Sequence, residues 1–131
     1  MANKIYSVGI IGCGKIFPRH QQAIFENKNF ELTSVCDKDQ SVLDCTTLEY
    51  SVKGFKCYKE MINSGLVNFV VISTPNSQHF EQAMFAMQNK CDVLIEKPAT
   101  LDPKQIGILK KESIKYGQNV YSVLQVRLNS C

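Results

Sequence analysis

The sequence predicts an α/β fold: a doubly wound parallel sheet in three α-β-α layers, with strand order 3-2-1-4-5-6. Three observations predict it. Strand-like and helix-like stretches alternate from end to end of the 131 residues. The fourth strand-like stretch, Asn68–Ser73, is almost continuously apolar, as a strand buried on both faces of a parallel sheet must be. The first strand runs into closely spaced glycines followed at once by a helical pattern, the layout of a nucleotide-binding turn.

Each element has its own signal. Lys4–Ile11, rich in Ile and Val, is the first strand. Ile16–Asn27 is helical, with Ile16, Ala23 and Ile24 on one face and Pro18 in the first turn, where a missing N–H costs nothing. Glu31–Asp37 is the second strand. Ser41–Val52 is a helix weakened by Thr46 and Thr47. Gly54–Tyr58 is a short third strand, followed by helical turns to Ser64 and a stop at Gly65.

After Asn68–Ser73, bounded by Pro75, the stretch Gln78–Asn89 places Phe80, Ala83, Met84 and Met87 on one helical face, expected to be core. Cys91–Glu96 is the fifth strand. Asp102 caps a helix with Pro103 in its first position, which runs to Tyr116 and stops at Gly117. Asn119–Val126 is the last strand and an edge in the expected order. Val120, Val123, Leu124 and Val126 make that edge sticky, so self-association into a homo-oligomer is expected.

Composition narrows the class. At 44% hydrophobic and 21% charged, the chain is an ordinary globular one. Fifteen basic residues against twelve acidic ones leave a formal charge of +3, too small and scattered for a nucleic-acid footprint. No apolar run can span a bilayer, and residues 1–4 lack a signal-peptide layout, so a cytoplasmic protein is expected. Of the six cysteines, Cys13, Cys36, Cys45, Cys57, Cys91 and Cys131, none forms a CxxC pair, and His20 and His79 have no ligand-spaced partner. A metal site is not expected. Cys36, Cys57 and Cys91 lie in or beside apolar runs and read as buried, reduced thiols.

The glycine turn is Gly9-Ile10-Ile11-Gly12-Cys13-Gly14-Lys15-Ile16-Phe17. Gly12 permits the tight turn, Gly14 lets the backbone approach a pyrophosphate, and the helix N-terminus at Lys15 and Ile16 faces the anion. Phe17 replaces the usual third glycine and demands more room between helix and sheet. Asp37 ends the second strand at the spacing of an acid that accepts hydrogen bonds from an adenosine ribose. Its charge opposes a 2′-phosphate and favours NAD. The adjacent Lys38 could pair with that phosphate, so NADP stays possible, and a solvated turn residue is the alternative reading of Asp37.

Three later motifs go further: Ser73-Thr74-Pro75-Asn76 with His79, then Glu96-Lys97-Pro98, then Gln125-Val126-Arg127-Leu128-Asn129. Together with Gly9–Gly14 they resemble the N-terminal NAD(P)-binding Rossmann domain of the glucose–fructose oxidoreductase and inositol dehydrogenase family, Gfo/Idh/MocA, over essentially the whole chain. Pro18-Arg19-His20 and the Gln125–Asn129 ending look like the branch that oxidises the 3-hydroxyl of UDP-N-acetylglucosaminuronate, for surface-polysaccharide and lipopolysaccharide biosynthesis. All three later motifs fall at carboxyl ends of strands, where open α/β sheets bind ligands. Ser73, Thr74 and Pro75 are expected along the nicotinamide ribose. Asn76 either joins them or caps the next helix. The resemblance implies that His79 lies near the ribose, with a helix-end polar residue as the alternative.

Lys97 is the expected catalytic residue. A lysine beside the cofactor can position a substrate hydroxyl and stabilise negative charge on its oxygen. Glu96 could pair with it or brace the loop, and Gln125 and Arg127 complete the expected cofactor contacts. Family members carry a second α/β domain after the sixth strand. The sequence ends at Cys131, where that domain would begin, so residues 1–131 are expected to bind a dinucleotide with little turnover alone. A non-catalytic nucleotide-binding module and an inactive fragment are the alternatives.

Overall fold

The structure, a computed structural model, describes residues 5–14, 16–74, 76–96 and 103–122. Strands and helices alternate as β1 (Tyr6–Ile11), α1 (Phe17–Phe25), β2 (Phe30–Cys36), α2 (Gln40–Tyr50), β3 (Lys53–Phe55), α3 (Tyr58–Asn63), β4 (Phe69–Ile72), α4 (His79–Gln88), β5 (Asp92–Ile95), α5 (Pro103–Tyr116) and β6 (Val120–Ser122). A single 3-10 turn, Asn76–Gln78, leads into α4. The six strands pair in parallel in the order β3-β2-β1-β4-β5-β6, the order expected from the sequence.

Alternation along each strand divides the core in two. Val8 and Ile10 of β1, Val35 of β2 and Phe69 and Val71 of β4 pack under α1 and α2 through Phe17, Ile24 and Leu43. Ile11, Cys36, Val70, Ile72, Val93 and Ile95 face the other way, under α3, α4 and α5 through Met61, Ile62, Ala83, Met87 and Leu109. Phe17 is buried in the first of these layers, with its ring 5.3 Å from that of Tyr50, so the room it demands is taken up by core packing.

Several local expectations are corrected. The buried stripe of α1 is Phe17, His20 and Ile24, while Ala23 is exposed, because Phe17 sets the phase of the helix. In α4 the expected face does pack in the core, with Ala83 and Met87 buried and Phe80 and Met84 half-buried against them, but His79, Gln82 and Ala86 are buried there too. The hydrophobic pattern hid a stripe that contains two polar residues. Strand β3 ends at Phe55, and Tyr58 opens α3 instead of closing a strand. Cys57, at the N-cap of α3, is therefore exposed, as is Cys45, whereas Cys13, Cys36 and Cys91 are buried free thiols.

Helix α2 is capped by Asp39, whose carboxylate accepts from the Ser41 and Val42 amides at 3.0 and 3.2 Å. The Ser41 hydroxyl, which donates to the same oxygen at 2.8 Å, and then those amide bonds hold the Asp39 carboxyl below its ordinary range. Thr46 and Thr47, the poor helix formers of α2, turn their hydroxyls back to the carbonyls of Val42 and Asp44 at 2.8 and 3.1 Å. Edge strand β6 is tied to its neighbour by buried Asp92, which accepts from the Asn119 amide at 3.0 Å. Among the described residues no helix is long and apolar enough to cross a membrane.

Candidate cofactor-binding site

A cleft of about 630 Å³ opens over the carboxyl ends of β1, β2, β3 and β4. The glycine turn forms its floor. Gly12 has φ +99°, and a Cβ there would stand 2.8 Å from the carbonyl oxygen of Ser73. Both backbone conformation and the neighbouring strand therefore require glycine at that place. Gly14 differs. Its φ is not in the left-handed region, and among the described residues a Cβ on it meets no atom within 4 Å. Among the described residues nothing demands its bareness. Helix α1 begins directly after this turn, with half-buried Ile16 at the N-cap and no side-chain cap bond.

The floor is tied to its surroundings at three points. The Gly12 amide donates to Cys36 O at 2.8 Å, and the Cys13 amide donates to Asp37 Oδ2 at 2.8 Å. The Ser73 hydroxyl lies 3.1 Å from Ile11 O and 3.0 Å from Gly12 O. Asp37 also accepts from the Asp39 amide at 2.9 Å through Oδ1, so both carboxylate oxygens are oriented by main-chain donors. Lys38 is exposed beside it on the cleft wall. The Cys13 thiol is pushed up to about 11, first by burial and then by the Asp37 charge, and the Cys36 thiol to about 12, first by burial. Both are therefore protonated at neutral pH and sit as small packing groups.

On the opposite wall, Thr74 is gripped by α4. Its hydroxyl donates to Gln82 Oε1 at 2.6 Å, and its carbonyl lies 2.7 Å from His79 Nε2. His79 is buried and faces Thr74 instead of lining the cleft. Asn76 opens the 3-10 turn. Glu96, one residue beyond β5, meets His20 of α1, with Oε1 2.7 Å from Nε2. That pair joins the helix behind the glycine turn to the strand end that leads to Lys97. Lys15, Pro75, Lys97, Pro98, Gln125, Arg127 and Asn129 lie outside the described residues.

Sequence reasoning missed a second group on this cleft: Lys56, Cys57 and Tyr58 after β3, and Gln78, Glu81 and Gln82 at the start of α4. The rule that ligands gather at strand carboxyl ends points to both places, although the residue types carry no motif. The Tyr58 phenol is pushed up to about 12, first by burial and then by the Glu81 charge, so it remains a donor at neutral pH. Among the described residues no cluster of His, Cys, Asp and Glu could hold a metal ion.

These residues fit a dinucleotide. A bare Gly14 at the head of a helix leaves space for a phosphate, and an oriented carboxylate stands at the next strand end. The oxidoreductase family with an NAD-binding Rossmann fold, GFO_IDH_MocA, matches residues 6–124. The chain belongs to this family. Glucose-6-phosphate 3-dehydrogenase of Bacillus subtilis (strain 168) is 31% identical to it over 103 residues, which are 79% of this chain and 29% of that protein. Alpha-N-acetylgalactosaminidase of Shewanella oneidensis is 25% identical over 94% of this chain and 32% of its own length. Among solved structures, the WlbA dehydrogenase from Bordetella pertussis, in complex with NADH and UDP-GlcNAcA, superposes with a TM-score of 0.90 at 25% identity. The match covers 98% of this Gfo/Idh/MocA chain and 38% of that one. The chain thus spans about a third of the length of these relatives.

Proposed function

We propose that this chain is the cofactor-holding domain of a cytoplasmic NAD-dependent dehydrogenase that oxidises a hydroxyl of a sugar, a nucleotide-sugar or a polyol. The observation that carries the reading is the bareness of Gly14 at the head of α1, which no neighbour among the described residues requires. On this reading the pyrophosphate lies over residues 12–16, and Asp37 accepts from the adenosine ribose. Its negative charge makes NAD preferred over NADP, against the nearby Lys38. Bound NAD would supply a hydride acceptor at its nicotinamide ring.

The protein's own part is to hold and orient. Ser73 and Thr74 border the nicotinamide ribose, with His79 and Gln82 fixing Thr74 from behind. Pro75, Asn76, Gln125 and Arg127 are proposed to complete that wall. Lys97 is proposed to hold the substrate hydroxyl, take its proton and stabilise charge on its oxygen, and Glu96 to brace the strand end through His20. The sugar class is supported by the Bacillus relative and by the UDP-GlcNAcA in the Bordetella complex. A role in the sugars of surface polysaccharide rests on the likeness of Pro18-Arg19-His20 and Gln125–Asn129 to that branch of the family. Turnover is expected where a substrate-holding domain is joined to this one, and assembly into a homo-oligomer over the β6 edge is part of the proposal.

Titration of the protein with NADH, followed by cofactor fluorescence, tests the reading. Saturable binding below millimolar ligand is expected, with Gly14→Val abolishing it while the far-ultraviolet circular dichroism stays unchanged. A folded protein that never saturates overturns it. The Shewanella relative favours a glycosidase as a second reading. Release of free sugar without net reduction of NAD would decide for that alternative.

A further inference from the structure

The glycine turn and Asp37 leave one end of the cleft unexplained. The cleft is also lined by Lys56, Cys57 and Tyr58 at the β3–α3 junction and by Gln78, Glu81 and Gln82 at the start of α4. The Tyr58 hydroxyl donates across this end to Glu81 Oε1 at 3.2 Å. Its ring meets Phe85 edge-on, with centroids 5.7 Å apart and planes at 88°. The phenol is therefore fixed by packing as well as by its hydrogen bond, and it in turn fixes the carboxylate. Gln82 is committed elsewhere: Oε1 accepts from Thr74, and Nε2 donates to Gln78 Oε1 at 3.1 Å. Glu81 is left as the acceptor with an oxygen to spare at this end of the cleft.

The cofactor reading, on which this inference rests, says what comes here. With the pyrophosphate at the glycine turn and the adenosine ribose at Asp37, the base extends past Asp37 toward Tyr58 and Glu81. An ionised carboxylate only accepts hydrogen bonds, and the 6-amino group of adenine only donates them. We propose that Glu81, held in place by Tyr58, reads the 6-amino group of adenine and makes the cleft selective for adenine over a 6-oxo purine. Glu81 is then a specificity-determining residue, and Tyr58 is a positioning residue that acts through it.

The test compares NADH with reduced nicotinamide hypoxanthine dinucleotide, in which a 6-oxo group replaces the 6-amino group. The unmutated protein is expected to bind NADH about ten- to a hundredfold more tightly, the usual effect of one hydrogen bond to a charged group. Glu81→Ala should bring NADH down to the affinity of the hypoxanthine form. Glu81→Gln, whose amide can accept from an amine or donate to an oxo group, should bring the two ligands within a few-fold of each other. Tyr58→Phe keeps the ring against Phe85 and should lower the preference part-way, with no further loss when added to Glu81→Ala. Glu81 is exposed, so its variants are expected to fold. Equal binding of the two dinucleotides by the unmutated protein overturns the proposal, as does an undiminished preference in Glu81→Ala. Failure of both to bind overturns the cofactor reading and this inference with it.

Discussion

Gly12 and Gly14 stand two residues apart in one motif and answer to different demands. Gly12 is held by the fold, through its positive φ and its closeness to the Ser73 carbonyl. Gly12→Ala should therefore destabilise the protein by more than about 1 kcal/mol and lower Tm by several degrees in a thermal melt. Gly14→Ala should leave Tm almost unchanged and act on NADH affinity alone. Equal melting losses in the two variants would count against this division. The spacing in the sequence marks both glycines without distinguishing them, because it cannot show which atoms lie beside each Cα. Asp37 was legible by its distance from the turn, but its bond to the Cys13 amide was not. Glu81 and Tyr58 were invisible, since their meeting depends on how α3 and α4 pack.

At the level of elements, all six strands and five helices were legible, because apolar period and cap residues act locally. What failed was the phase of α1 and, in α4, the polar residues that share the buried face. Helix α1 turns on the bulk of Phe17, and α4 buries His79 and Gln82 because both have partners on Thr74. A hydrophobic count penalises such polar residues, whereas a satisfied hydrogen bond lets them be buried. The same logic applies to edge strand β6, which is described as far as Ser122 and takes its start from Asp92. Asp92→Ala leaves the Asn119 amide without that acceptor and removes a buried carboxylate. A loss of about 1–3 kcal/mol in urea unfolding is expected, with Asp92→Asn retaining part of it. Unchanged unfolding in Asp92→Ala would show that β6 is held by its ladder bonds alone.

For the whole molecule, the buried thiols link stability to pH. Burial pushes Cys13 and Cys91 up to about 11 and Cys36 up to about 12, from an ordinary 9.0. Above that ordinary value the unfolded chain releases protons that the folded one retains, so the unfolded state binds fewer protons and stability falls as pH rises. The contribution is complete below about pH 9 and is lost through the folded values. Urea unfolding between pH 8 and 11 should show the decline, with a shallower slope in Cys36→Ala; parallel slopes would argue against it. The bonds that join Gly12 to Cys36, Cys13 to Asp37 and Ser73 to Ile11 act at this scale too, because they fasten the ends of β1, β2 and β4 to one another. A loop fastened in this way has already given up its conformational entropy during folding. On the proposed reading, ligand capture then needs little ordering of the backbone of Gly12, Cys13 and Gly14, and variation in affinity among nucleotides falls to the side chains along the rim.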